Sequence, residues 1–144
     1  MNTKVSIRGH GGSIDLIVLR RENPGAQDPA ETDWLRCRVD LTLGTYAAGT
    51  DISLTGDELV TFLDEVRTVH RALRGQASLE ALERALTLRI TLRPTGGQVQ
   101  GALLVTESPR LQWEFEFSTD QTFLSEALPE MSALAEIYRT KGLA

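Results

Sequence analysis

The sequence predicts an α+β fold: about seven mainly antiparallel strands in a twisted or partly folded-over sheet, with two helices packed on one face. Three observations carry this. The most regular stretches alternate apolar and polar residues with period two, as half-buried strands do: Leu35, Cys37, Val39, Leu41 and Leu43 in one, Leu86, Leu88, Ile90 and Leu92 in another. Two long stretches carry apolar residues at helical spacing, one after Thr55 and one near the C-terminus. The order is four strands, a helix, three strands, a helix, and the last three strands, joined by short turns, make an antiparallel meander. At 144 residues the chain predicts one domain over residues 1–144, large enough to bury a core without staples.

Val5-Ser6-Ile7 alternates, and Ile14 to Leu19 is apolar on both sides of the pleat; Gly9-His10-Gly11-Gly12 between them reads as a hairpin turn. A loop with Pro24, Gly25 and Pro29 follows. From Trp34 to Leu43 the apolar side alternates with Trp34, Arg36, Arg38, Asp40 and Thr42, which gives a strand with a charged outer face. Gly44 ends it, and Tyr46 to Leu54 reads as a fourth strand, weakened by Gly49.

Thr55-Gly56-Asp57-Glu58 is a capping box, in which the hydroxyl and the carboxylate each accept the other residue's amide. The helix it opens carries Leu59, Phe62, Leu63, Val66, Val69, His70 and Leu73 on one stripe, and Gly75 stops it. Ser78 to Arg84 suits either a short helix or an extended lead-in. The strands Leu86–Leu92, Val99–Thr106 and Leu111–Phe117 follow, with Pro94-Thr95-Gly96-Gly97 and Ser108-Pro109 as turns. On the last of them Leu111, Trp113, Phe115 and Phe117 face inward. Thr119 or Asp120 can cap a final helical region, which Pro129 should divide into a short turn near Thr122 and a main helix from Ser125 to Arg139.

Fifteen Lys and Arg against twenty Asp and Glu leave a net charge of −5, and the cations alternate with carboxylates rather than forming a basic block. That disfavours nucleic-acid binding, which needs a clustered basic face. No long apolar run and no N-terminal apolar core are present, so no membrane contact is expected and the protein should be cytoplasmic. Cys37 is the only cysteine, which excludes an intramolecular disulfide and a multi-cysteine metal site; no cofactor and no metal are expected.

Candidate chemistry is sparse. The Gly9–Gly12 run lacks the Lys-Ser/Thr of a phosphate loop and joins strands rather than opening a helix. His70 has neither a carboxylate nor a second His four residues away, so it reads as a packed or capping side chain. Glu114 and Glu116 share one strand face, roughly 7 Å apart, where pairing with Arg89 and Arg93 explains them more simply than glycoside chemistry. Cys37, on an inward strand face, packs as a small apolar group. An enzymatic reading would place a small hydrolase pocket near His10 and Glu22. Trp34, flanked by Arg36 and Arg38, has the composition of a recognition surface.

Asp33-Trp34-Leu35 opening a strand, Leu54-Thr55 with Asp57 and Leu59 opening a helix, Phe62-Leu63, Gly75 with Ala77 and Leu79, and Phe115 through Leu124 together resemble the WapI-type immunity proteins of bacterial polymorphic toxin systems. The resemblance implies a small non-enzymatic cytoplasmic protein that binds and blocks the C-terminal toxin domain of a cognate secreted effector, often a basic nuclease. It transfers no binding residues. Two surfaces of this chain are candidates for that contact: the acidic early face of the first helix, Asp57, Thr61, Asp64 and Glu65, and the sheet face around Trp34, Arg36 and Arg38 with Glu114 and Glu116. A self-associating regulatory domain is the third reading, and the protein is expected to be a monomer or a weak homodimer. The negative excess lies with the helices, since residues 44–76 hold five acids against three bases and residues 1–43 hold six of each.

Overall fold

The computed structural model describes residues 4–23, 25, 27–28, 33–80, 86–92, 98–108 and 111–139. Among the described residues eight strands form two four-stranded antiparallel sheets, where the sequence predicts about seven strands in one twisted or partly folded-over sheet. The first is β1 (Lys4–Gly9), β2 (Gly12–Arg21), β3 (Trp34–Leu43) and β4 (Tyr46–Thr55), in chain order. Helix α1 (Gly56–Ala72) leads into the second sheet, β5 (Gly75–Glu80), β6 (Leu86–Leu92), β7 (Gln98–Ser108) and β8 (Leu111–Asp120), and α2 (Gln121–Tyr138) closes the chain.

The eighth strand is β5, which covers the first part of the ambiguous lead-in: Ser78 to Glu80 is extended and pairs with β6, Ser78 opposite Arg89 and Leu79 opposite Leu88, while residues 81–84 lie outside the described residues. The helix before it ends earlier than the glycine signal suggests. Leu73 itself takes the left-handed cap conformation, at φ 59, and its amide bonds the His70 carbonyl at 3.3 Å, while Gly75 at φ 115 already starts the strand. Leu73 is therefore turned out and is 48% exposed instead of joining the apolar stripe. At the other end of α1 the capping box forms as expected.

Pro129 does not divide the last helix. One helix runs through it, and Pro129 sits on an exposed position, where water can serve the carbonyl that the missing proline amide leaves free. Thr119 is not a cap; it is buried and its hydroxyl donates to the Arg8 carbonyl at 2.6 Å, fastening β8 to β1.

Inward residues of both sheets and both helices share one core: Val5, Ile14, Leu35, Cys37 and Leu54 from the first sheet, Ala77, Leu88, Ile90 and Val99 from the second, Phe62 and Leu63 from α1, Met131 and Leu134 from α2. The side chains of Leu111, Trp113, Phe115 and Phe117 fall outside the described residues, as do the loop at Pro24 and Pro29 and the turn at 94–97. Turn chemistry fixes the hairpins. Gly11, at φ 80, and Gly44, at φ 57, hold the positive φ their turns require, and the Gly44 amide bonds the Gly11 carbonyl at 2.9 Å, locking the two turns together.

Candidate functional site

On α1, Asp57, Thr61 and Glu65 lie four residues apart, so they form a line along one helix face. That line runs beside β5. At its far end the Glu65 carboxylate accepts the Ser78 backbone amide at 3.2 Å, tying helix to strand. Toward the helix N-terminus the two elements part, leaving a groove of about 430 Å³ lined by Asp57, Glu58, Thr61, Ser78, Leu79 and Glu80. Among the described residues its lining holds three carboxylates and no cation. None of Asp57, Glu58 and Glu80 has an ion-pair partner among the described residues.

The groove has a fixed floor because the start of α1 is held from two sides. Thr55 and Glu58 exchange capping bonds, with the Glu58 amide 3.1 Å from the Thr55 hydroxyl and the Thr55 amide 2.9 Å from the Glu58 carboxylate. Asp33 supplies the second anchor, its carbonyl accepting the Gly56 amide at 2.8 Å and its carboxylate the Asp57 amide at 3.2 Å. The acidic residues of the first turn, Asp57 and Glu58, also stand at the positive end of the helix dipole.

Asp64, the fourth residue of the predicted helix face, stands differently. It is bound by both guanidinium nitrogens of Arg139, each at 3.2 Å, and by Arg67 at 3.4 Å, so its carboxylate is a clamp between α1 and the end of α2. The same hydrogen bond to Asp64 holds the Arg139 guanidinium above its usual pKa.

The second predicted surface is neutralised internally. Arg36 bridges Glu22 at 3.9 Å and Asp51 at 3.6 Å, and Arg38 bridges Asp51 at 3.1 Å and Asp40 at 2.8 Å, a continuous chain of alternating charge across the outer face of the first sheet. Ser53 donates to Glu22 at the end of the chain. The Asp51 hydrogen bond, then Asp40, raises the Arg38 pKa. Gly49 makes room for this chain, since a Cβ there would fall 2.4 Å from the Asp40 carboxylate and 2.6 Å from the Arg38 guanidinium. Trp34 is half-buried at the start of β3, its carbonyl taken by the Glu22 amide at 3.0 Å.

Glu114 and Glu116 lie on the outer face of the other sheet, opposite Leu104 and Ala102, and so do not join the Trp34 surface. The expected pairing with Arg89 is absent among the described residues, because β7 lies between; Arg93 falls outside them. That face carries a second depression, of about 550 Å³, lined by Gln76, Arg89, Thr91, Gln100, Glu116 and Ser118 among others. It is larger than the groove, but its one cation and one carboxylate leave it without net charge.

His10 and Glu22 do not meet. They sit at opposite ends of β2, about 30 Å apart at strand rise, so the hydrolase pocket proposed around them is not assembled. His70 is a helix-to-helix link, with Nε2 2.7 Å from the Ser125 hydroxyl. Cys37 is fully buried, and burial, assisted by Glu22, pushes its thiol up to about 12. The folded protein should therefore not react with a thiol-specific chromophore at pH 8 and should react once unfolded in guanidinium. The unfolded thiol ionises near 9 and the folded one near 12, so the unfolded state binds fewer protons between those values. Stability should fall across that window, by about 1.4 kcal/mol per pH unit from this group.

Of the groove residues, sequence reasoning places Asp57 and Thr61 in a binding face and misses Glu58 and, on β5, Ser78, Leu79 and Glu80. That strand is six residues long, and only Ala77 and Leu79 mark its inward face.

The architecture is similar to that of a known protein at low sequence identity. The structure of the plant transcriptional regulator PBF-2 aligns with a TM-score of 0.54 at 10% identity, covering 94% of this chain and 79% of that one. A protein of unknown function from the DUF155 family of Prochlorococcus sp. NATL2A aligns with a TM-score of 0.34 at 14% identity, covering 90% of this chain and 98% of that one. The first shows a shared fold and nothing about activity. No curated protein sequence matches this chain. The model of the immunity protein WapI-like family, however, matches residues 6–139, nearly the full length, and the chain belongs to that family of immunity proteins.

Proposed function

We propose that this protein is a cytoplasmic, non-enzymatic inhibitor that binds the toxin domain of a cognate secreted effector and blocks it, with the groove between α1 and β5 as the contact surface. Family membership supports the toxin-neutralising role in general. The observation that carries the choice of surface is the groove itself, whose lining among the described residues exposes the carboxylates of Asp57 and Glu80 and holds no cation, between two anchored elements. Such a patch attracts and orients a basic partner and rejects acidic ones. A toxin that handles nucleic acid has that basic character, so a nuclease domain fits. Asp57, Thr61 and Glu80 would meet the partner, Glu65 would hold the strand wall in place, and Asp64 would keep α2 docked. The sheet face of Trp34, Arg36 and Arg38 is the weaker surface, because its arginines are already satisfied. Among the described residues no helix is long and apolar enough to cross a membrane.

The test is to co-express this protein with the toxin domain encoded beside it and to titrate the two purified proteins by calorimetry. Rescued growth and saturable one-to-one binding are expected. Growth arrest with no measurable heat would overturn the proposal.

A further inference from the structure

Each four-stranded sheet has two edges, and an uncovered edge is a template for another strand. Three of the four are covered or guarded here. On β1 the Ser6 amide is taken by Glu130 of α2 at 3.0 Å and the Arg8 carbonyl by Thr119 at 2.6 Å. On β5, a short strand, Glu65 takes the Ser78 amide. On β8 the Ser118 carbonyl accepts the His10 amide at 3.0 Å, and exposed Glu114 and Glu116 place charge along the remainder.

The fourth edge, β4, carries one exposed charge, Asp51, and among the described residues the backbone of its first half has no such cover. It is ten residues long and pairs with β3 in unbroken register from Tyr46 to Thr55, whereas the β2–β3 and β7–β8 ladders are interrupted by irregularities. Its first half, Tyr46-Ala47-Ala48-Gly49-Thr50, has no charge and no proline. Among the described residues no side chain bonds the backbone of this stretch from another element. Tyr46 and the adjacent Leu43 are 58% and 40% exposed beside it.

We infer that β4 pairs with β4 of a second copy of this chain, antiparallel about a two-fold axis at Gly49, joining two four-stranded sheets into one of eight. A second copy is the occupant this edge fits, because the stretch is neutral and built of small residues, with nothing to select a charged partner. Placing the axis at Gly49 sets Asp51 of each copy opposite Ala47 of the other, so no like charges meet. Asp51 already holds Arg36 and Arg38 within its own sheet, which keeps its charge compensated. The contact spans only Tyr46 to Ile52 in each copy, well short of a standard interface, so the dimer is weak, with a dissociation constant on the order of 100 μM. The toxin-facing groove lies on other elements and stays free in the dimer.

Sedimentation equilibrium of the full chain from about 5 to 500 μM tests this across the expected dissociation range. The wild type should pass from monomer to dimer. Ala47→Glu puts a carboxylate opposite Asp51 and should raise the dissociation constant at least about tenfold, whereas Ala47→Lys meets Asp51 with opposite charge and should leave it unchanged or lower it. Ala47 is exposed, so both variants should fold, which circular dichroism checks. A wild type that is monomeric throughout, or variants that dimerise alike, overturns the inference. So does an Ala47→Glu protein that dimerises normally but loses toxin binding, which would give this edge to the toxin.

Discussion

Reversing two charges in the groove, Asp57→Lys with Glu80→Lys, is expected to weaken toxin binding by a factor of about 100 to 1,000, or roughly 3–4 kcal/mol. Each substitution removes a carboxylate that has no ion-pair partner among the described residues and puts a cation where a basic surface must approach. The loss should have two signatures. The association rate should fall, and the salt dependence of binding should flatten or invert, because long-range attraction between unlike charges is replaced by repulsion. The fold should survive: Asp57 and Glu80 are exposed, and the bonds that fix the helix start run through the Asp57 backbone amide and through Asp33, Thr55 and Glu58. Reversing the sheet-face charge with Arg38→Glu serves as the comparison and should alter affinity much less if the groove is the contact. Equal losses at both surfaces would instead spread the interface over both, and no loss at Asp57 and Glu80 would remove the groove from it.

Phe62→Ala is expected to cost about 3–5 kcal/mol of folding stability, the usual range for emptying a buried aromatic site. Phe62 is 1% exposed and is among the largest fully buried side chains, on the stripe of α1 that also presents Leu59, Leu63 and Val66 to the core. Both sheets and both helices share that core, so the cavity loosens the whole assembly rather than one hairpin. Against a total stability of about 5–15 kcal/mol, the variant should unfold at much lower denaturant concentration, with little change in slope if it still unfolds cooperatively. Thr61→Ala, one residue away and exposed, should shift stability by no more than about 0.5 kcal/mol. A Phe62→Ala midpoint close to wild type would mean that this core collapses around the gap.

The same helix shows why the two kinds of residue differ in legibility. Phe62 is readable from spacing alone, because a buried stripe has to recur every three or four residues whatever covers it. The acidic line of Asp57, Thr61 and Glu65 is readable as an exposed face for the same reason. Its partner across the groove is not: Ser78 and Glu80 sit in a short strand whose pattern suits two structures equally, and pairing with β6 decides between them. Asp64 shows the same limit. Periodicity puts it near the exposed face, but only the return of α2 brings Arg139, 75 residues away in sequence, against its carboxylate.

By itself, the sequence determined the strands other than β5 and both helices, the capping box at Thr55, the inward packing of Cys37 and the family resemblance, since all of these rest on spacings of a few residues that local geometry must obey. Tertiary structure decided the division into two sheets, the continuity of α2 through Pro129, the neutralisation of Arg36 and Arg38, the meeting of α1 with β5 and the exposure of β4. Those outcomes depend on which distant segments share a core, and side-chain pairing across long sequence separations leaves no periodic mark in the chain.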